Sequence, residues 1–156
     1  MSFMFHKCFQ LSELNLFNSK FSNVVNMNHV FSECSHLKKL DLSKLKTNNE
    51  TNMSHTFFGC SRLKELNLWK FDTYNVEDMS HMFSGCAGLK ELNLSNFNTD
   101  NVQDMCGMFS NCSSLENLNI SNFNSHRAIN MEEIFSGCWL NVLICSDKKI
   151  LSQSFD

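Results

Sequence analysis

Residues 75–86 read NVEDMSHMFSGC. Met79, His81, Met82 and Cys86 crowd into this stretch, and thioether, imidazole and thiol are the ligands that soft metals select. At about 100° per helical residue, Val76, Met82, Phe83 and Cys86 fall within about 60° of Met79, whereas His81 falls at about 200°, on the far side. The spacing therefore predicts a short amphipathic helix with a narrow apolar stripe. It also separates His81 from Cys86, so one helix cannot wrap both around a single ion.

The same residues recur along the chain. Cys86 belongs to the series Cys8, Cys34, Cys60, Cys86, Cys112 and Cys138, each 26 residues from the next. Met1, Met27, Met53, Met79, Met105 and Met131 share that step, and so do Phe5, Phe31, Phe57, Phe83, Phe109 and Phe135. Six such units account for all 156 residues, the mark of a repeat array. The units are 1–26, 27–52, 53–78, 79–104, 105–130 and 131–156, the last degenerate, and they are read as one solenoid domain. The column through Met82 holds Met4, Val30, Thr56, Met82, Met108 and Ile134. Val and Ile bind no metal but fill the volume that Met fills, so the stripe is read as core, with no metal and no cofactor. The six cysteines are read as a ladder of buried thiols, because stacked equivalent side chains point in parallel rather than at one another. The close cysteine pairs of zinc sites are absent. Cys106 and Cys145 lie outside the ladder, and Cys106, at the edge of the stripe, is the candidate reactive thiol.

After Cys86 comes the stretch LKELNLSNF, residues 89–97. Its L-x-x-L-x-L spacing recurs at Leu11/Leu14/Leu16, Leu37/Leu40/Leu42, Leu63/Leu66/Leu68 and Leu115/Leu118/Ile120. The in–out alternation predicts a strand with one buried face. Leu92 and Leu94 point inward and Phe97 closes the coil. Asn75 with Asp78, and Asn101 with Asp104, have the spacing of a helix N-cap and its capping-box partner. Each coil is thus expected to be strand, turn, short helix, turn. The fold class expected is an α/β repeat, with a parallel sheet on one face and short helices on the other.

The matching texts LKELNLWKFDTYNVEDMSHMFSGC and LKELNLSNFNTDNVQDMCGMFSNC resemble the BspA-like leucine-rich repeats of bacterial and protist surface proteins. The repeat of mycoplasma-lipoprotein-type surface proteins is the nearest pattern. The resemblance implies a leucine-rich-repeat solenoid, a location at the cell surface or in secretion, and adhesion to host or extracellular-matrix proteins. It supplies no catalytic residues.

Composition narrows the function classes. Net charge is −3 and no basic run is interleaved with aromatics, so nucleic acid is not an expected partner. No apolar run reaches the ~20 residues that span a bilayer, so no membrane insertion is expected. The opening MSFMFHKCFQL lacks the charged head and apolar stretch of a signal peptide. Pro is absent, so turns fall to Asn, Asp and Ser.

A solenoid of this kind binds through its exposed strand face. One outward row is Glu13, Lys39, Glu65, Glu91 and Asn117; the next is Asn15, Asp41, Asn67, Asn93 and Asn119. A third row holds Phe17, Ser43, Trp69, Ser95 and Ser121, where Phe17 and Trp69 are large aromatics among serines and aromatics are enriched at binding hot spots. The Asn row has a plain structural reading as a hydrogen-bonding ladder, and Trp69 has one as a ring lying against Lys70. His29, His55 and His81 form another column, interrupted by Gly107 and Glu133, and are read as a solvated face. No constellation suggests catalysis. The function expected is a protein-binding module. The rivals are a structural spacer within a larger surface protein, and a metal- or redox-responsive Cys/His ladder. Extra apolar residues in the first unit, Phe3, Phe9, Phe17 and Phe21, suggest an uncapped end suited to end-to-end self-association.

Overall fold

The computed structural model describes residues 1–16, 24–43 and 45–153. The chain winds as a β-solenoid of about five turns, with a repeat of about 26 residues. Each coil contributes one three-residue strand: β1 (Glu13–Asn15), β2 (Lys39–Asp41), β3 (Glu65–Asn67), β4 (Glu91–Asn93), β5 (Asn117–Asn119) and β6 (Val142–Ile144). They form two parallel sheets, in the orders β1-β2-β3 and β4-β5-β6. Partners are repeat equivalents, such as Leu14↔Leu40 and Leu40↔Leu66. The last pairing, Leu118↔Leu143, steps by 25 residues, because the degenerate sixth unit has slipped by one. A second column of parallel bridges runs Asn26↔Asn52↔Asp78↔Asp104↔Asn130.

The expected helices are not formed. Among the described residues the one α-helix is α1 (Lys148–Leu151). In the stretch 75–86 the backbone turns left-handed at His81 (φ 53°) and again at Gly85 (φ 74°), which ends any α-helical run. Alternate amides leave the local chain altogether. Met79, His81, Phe83 and Gly85 donate to the carbonyls of Asp104, Cys106, Met108 and Ser110 in the next coil, at 2.8–2.9 Å. The amides between them close tight local turns: Met82 to Met79, Ser84 to His81, and Cys86 to Phe83. Each buried donor is thereby satisfied, half of them along the solenoid axis rather than within a helix. The capping boxes fail with the helices. Asp78 Oδ1 accepts from the Ser80 amide at 2.9 Å and its hydroxyl at 2.7 Å, and Asn101 donates to the Tyr74 carbonyl.

The stripe itself is core. Val76, Met79, Met82, Phe83 and Cys86 are fully buried. Inside the solenoid the phenyl rings of Phe5, Phe31, Phe57, Phe83, Phe109 and Phe135 stack at 5.4–5.9 Å between centroids. Leu92, Leu94 and Phe97 are buried, as are Phe71, Phe123 and Leu45 at the equivalent closing position. A buried hydroxyl column stitches the corners: Thr47, Thr73 and Thr99 each donate to a carbonyl of the next coil and accept that same residue's amide, at 2.7–2.9 Å.

Candidate functional site

The short strands bring the outward rows into register. Glu13, Lys39 and Glu65 are aligned across β1–β3, and Glu91 with Asn117 across β4–β5. Glu13, Asn15, Lys39, Asp41, Glu65, Asn67, Glu91 and Asn93 are exposed, whereas Asn117 and Asn119 are half-buried. Phe17 and Phe21 lie outside the described residues. Lys39 Nζ pairs with Glu65 at 2.6 Å, an exposed pair of small energetic consequence. The Asn row has work of its own. The side-chain oxygens of Asp41, Asn67, Asn93 and Asn119 accept the amides of Ser43, Trp69, Ser95 and Ser121, two residues on. These are Asx turns that end each strand. Trp69 stands out from this row: it is 62% exposed, with Lys70 Nζ 4.7 Å from its ring centroid.

The thiol ladder is core. All eight cysteines are free. Cys34, Cys60, Cys86, Cys112 and Cys138 each donate to the carbonyl of the Phe 29 residues earlier, at 2.9–3.2 Å. Burial pushes the Cys34 thiol up to about 11 and the Cys86 thiol to about 12, far from a reactive thiolate. Cys106 is half-buried. Burial, with Asp104 close by, raises its thiol too, so the environment does not activate it.

The histidine column is more ordered than a solvated face. The imidazoles of His29 and His55 stack at 4.4 Å, those of His55 and His81 lie 4.9 Å apart, and Phe3 stacks on His29 at 4.8 Å. Phe3, His29, His55 and His81 all have positive φ, a conformation that costs a non-glycine residue about 1 kcal/mol. Gly107 ends the stack for a steric reason: a Cβ there would lie 2.5 Å from the Nδ1 and Cε1 of His81. Nδ1 of His29 and of His55 is buried without a partner. Burial, reinforced by the neighbouring imidazoles, lowers His55 to about 4, and burial with His6 lowers His29. Metal-bound imidazoles are normally oriented by a partner on the other nitrogen, and these rings lack one. Among the described residues no group of three or more His, Cys, Asp or Glu is arranged to hold a metal ion, and no helix is long and apolar enough to cross a membrane.

A feature that sequence reading missed is Glu50. It occupies the column of Val24, Val76, Val102 and Ala128 and is fully buried. Oε1 accepts the amides of Met27 and Asn52 at 3.0 Å, while Oε2 has no partner, and burial raises its carboxyl. The break in the valine column was the signal available.

Fold and surface together define a β-solenoid repeat protein whose thiol, hydroxyl and Asx-turn ladders are structural and whose sheet face is largely exposed. The family model described as Mycoplasma protein of unknown function, DUF285, matches residues 1–92 and again 51–140; the chain belongs to this family. No curated protein and no solved structure matches.

Proposed function

We propose that this chain is a non-catalytic binding module of the BspA-like leucine-rich-repeat type, displayed at the cell surface or secreted, that recognises a host or matrix protein through its strand face. The observation that carries the reading is Trp69. It is a large ring, 62% exposed, on a row otherwise held by serines, beside an in-register array of charged and amide side chains. Large aromatics of this kind anchor interfaces, whereas buried thiols and turn-forming amides are already committed to the fold. The test is binding of the purified chain to immobilised extracellular-matrix and plasma proteins, against a variant carrying Phe17→Ser and Trp69→Ser. Loss of binding with unchanged circular dichroism supports the strand face. Equal binding by both proteins removes recognition from that face, and no binding by either favours the spacer role.

A further inference from the structure

Stacking the coils assembles a charge distribution that the linear sequence hides. The chain carries 13 Lys and Arg against 16 Asp and Glu. Residues 35–72 reverse this balance, with seven basic residues (Lys38, Lys39, Lys44, Lys46, Arg62, Lys64 and Lys70) against four acidic ones. All four acids have partners, and Asp41 and Asp72 keep an exposed negative charge. Glu50 is buried, Glu65 pairs with Lys39, and Asp41 and Asp72 accept the amides of Ser43 and Tyr74. Of the bases, Lys38, Arg62 and Lys64 are exposed and have no ion pair among the described residues.

The placement is regular. Lys38, Lys64 and Lys90 hold one repeat column just before β2, β3 and β4, and the Lys64 amide donates to the Lys38 carbonyl at 2.9 Å. Neighbouring strands are about 4.8 Å apart, which is the spacing of Lys38 and Lys64 at the start of the paired strands β2 and β3; Lys90 continues the column beyond the break between the two sheets. Arg62 precedes Lys64 by two positions and widens the row. Gly88 lets the fourth coil close on it: a Cβ there would lie 2.9 Å from the Leu63 carbonyl oxygen. The row ends where Ser12 and Glu116 take the same column. Exposed carboxylates flank the row: Glu65 and Glu91 follow Lys64 and Lys90 by one position, and Glu116 stands one coil beyond Lys90. Across the sheet, past the strand, lie Trp69 and a shallow groove lined by Lys46, Thr47, Lys70 and Asp72.

We propose that coils two to four bind a linear acidic polysaccharide, its anionic groups on Lys38, Arg62, Lys64 and Lys90 and one sugar ring stacked on Trp69. The proposal rests on the strand-face reading and names a partner class for it. Unpaired cations in a row at coil spacing suit a polymer with repeating negative charge. A single exposed ring flanked by hydroxyl and amide groups suits one sugar. A nucleic acid would call for successive aromatic platforms, and among the described residues Trp69 stands between Ser43 and Ser95 in its row. The crossing from Lys38 to the Ser43 position is at most about 16 Å, the length of a fully extended chain, within reach of a short oligosaccharide.

The experiment is fluorescence anisotropy with a labelled heparin oligosaccharide, against neutral dextran and a single-stranded oligonucleotide of similar charge. Wild-type chain is expected to bind heparin in a salt-sensitive manner and to ignore dextran. The Lys38→Gln/Lys64→Gln/Lys90→Gln variant is expected to lose at least about tenfold in affinity, since each basic residue near an anionic surface contributes about fivefold. Trp69→Ser is expected to weaken binding severalfold, and Lys7→Gln/Lys148→Gln, which removes cations elsewhere, to leave it unchanged. An unaffected triple variant, an unaffected Trp69 variant, or oligonucleotide binding as tight as heparin overturns the proposal. Heparin binding with a negative protein panel keeps this inference and removes the protein ligand; the reverse pattern removes this inference and keeps the module.

Discussion

The two ends of the solenoid solve the same problem differently. At the C-terminal end a carboxylate and a short helix lie over the last hydroxyl of the corner column. Asp147 accepts the amide and hydroxyl of Ser125 at 2.8–2.9 Å and also the Lys149 and Ile150 amides that open α1. Ile150 is fully buried and Lys149 Nζ reaches the Ala128 carbonyl. At the N-terminal end Phe3, Met4 and Phe9 are about half exposed, and Phe5, Cys8 and Leu11 are only partly buried, unlike their equivalents in the inner coils. The contrast teaches that the end of a coil stack is closed by supplying its polar groups first. One carboxylate placed over the hydroxyl column lets an apolar side chain follow it in.

Removing that carboxylate should have the largest effect. Asp147→Ala leaves the buried Ser125 hydroxyl and amide without acceptors and removes the N-cap of α1; hydrogen bonds to a charged group imply a loss of about 2–3 kcal/mol. Hydrogen exchange should then accelerate in residues 117–151 before it does in the first coils. Protection lost uniformly would show that the ends are not independent.

Gly107→Ala probes the middle of the stack, where the added Cβ meets His81 and the backbone is left-handed (φ 56°). The expected cost is about 2 kcal/mol, read from urea unfolding. Pairing it with His81→Asn should recover the steric part and leave only the backbone part.

Acid should act on the N-terminal half. His55 is lowered from 6.5 to about 4, so the folded chain binds fewer protons than the unfolded one. Its contribution to stability is complete above about pH 6.5 and is lost as pH falls toward 4. The ring is half-exposed, so solvent screening limits the effect to about 1 kcal/mol, or a melting temperature lower by about 2–4 °C. His55→Asn should flatten this part of the profile, and an unchanged profile in that variant would assign the acid sensitivity elsewhere. The smallest effect concerns association. The chain is expected to show weak concentration-dependent growth in light scattering, reduced by Phe3→Ser with Phe9→Ser.

Much of this fold was legible in the columns of repeating residues. The 26-residue step gave the coil, the buried stripe Val76–Met79–Met82–Phe83–Cys86, the strand face and the thiol ladder. The short helices were misread for a definite reason. Successive tight turns bring side chains inward every three or four residues, and that spacing is indistinguishable from one face of a helix. What separates the two is the destination of the amides, which the side-chain pattern does not report. The left-handed histidines were hidden too, because positive φ normally announces itself through Gly or Asn. The row Lys38–Lys64–Lys90 was present in the register from the start. It gains meaning only when the acids of residues 35–72 are seen to have partners.

The inter-coil bonds of the turn column all run in one direction. From Phe3 onward, amides point toward the next coil and carbonyls back toward the previous one. Peptide dipoles aligned in this way add, as they do in an α-helix, but here the negative pole lies at the N-terminal end. The turn column is therefore polar, while amides such as those of Lys38, Lys64, Glu77 and Gln103 elsewhere in the coils point back to the previous coil and oppose it. Two copies meeting through the turn column at their N-terminal ends would present carbonyls to carbonyls, so the backbone itself works against that pairing.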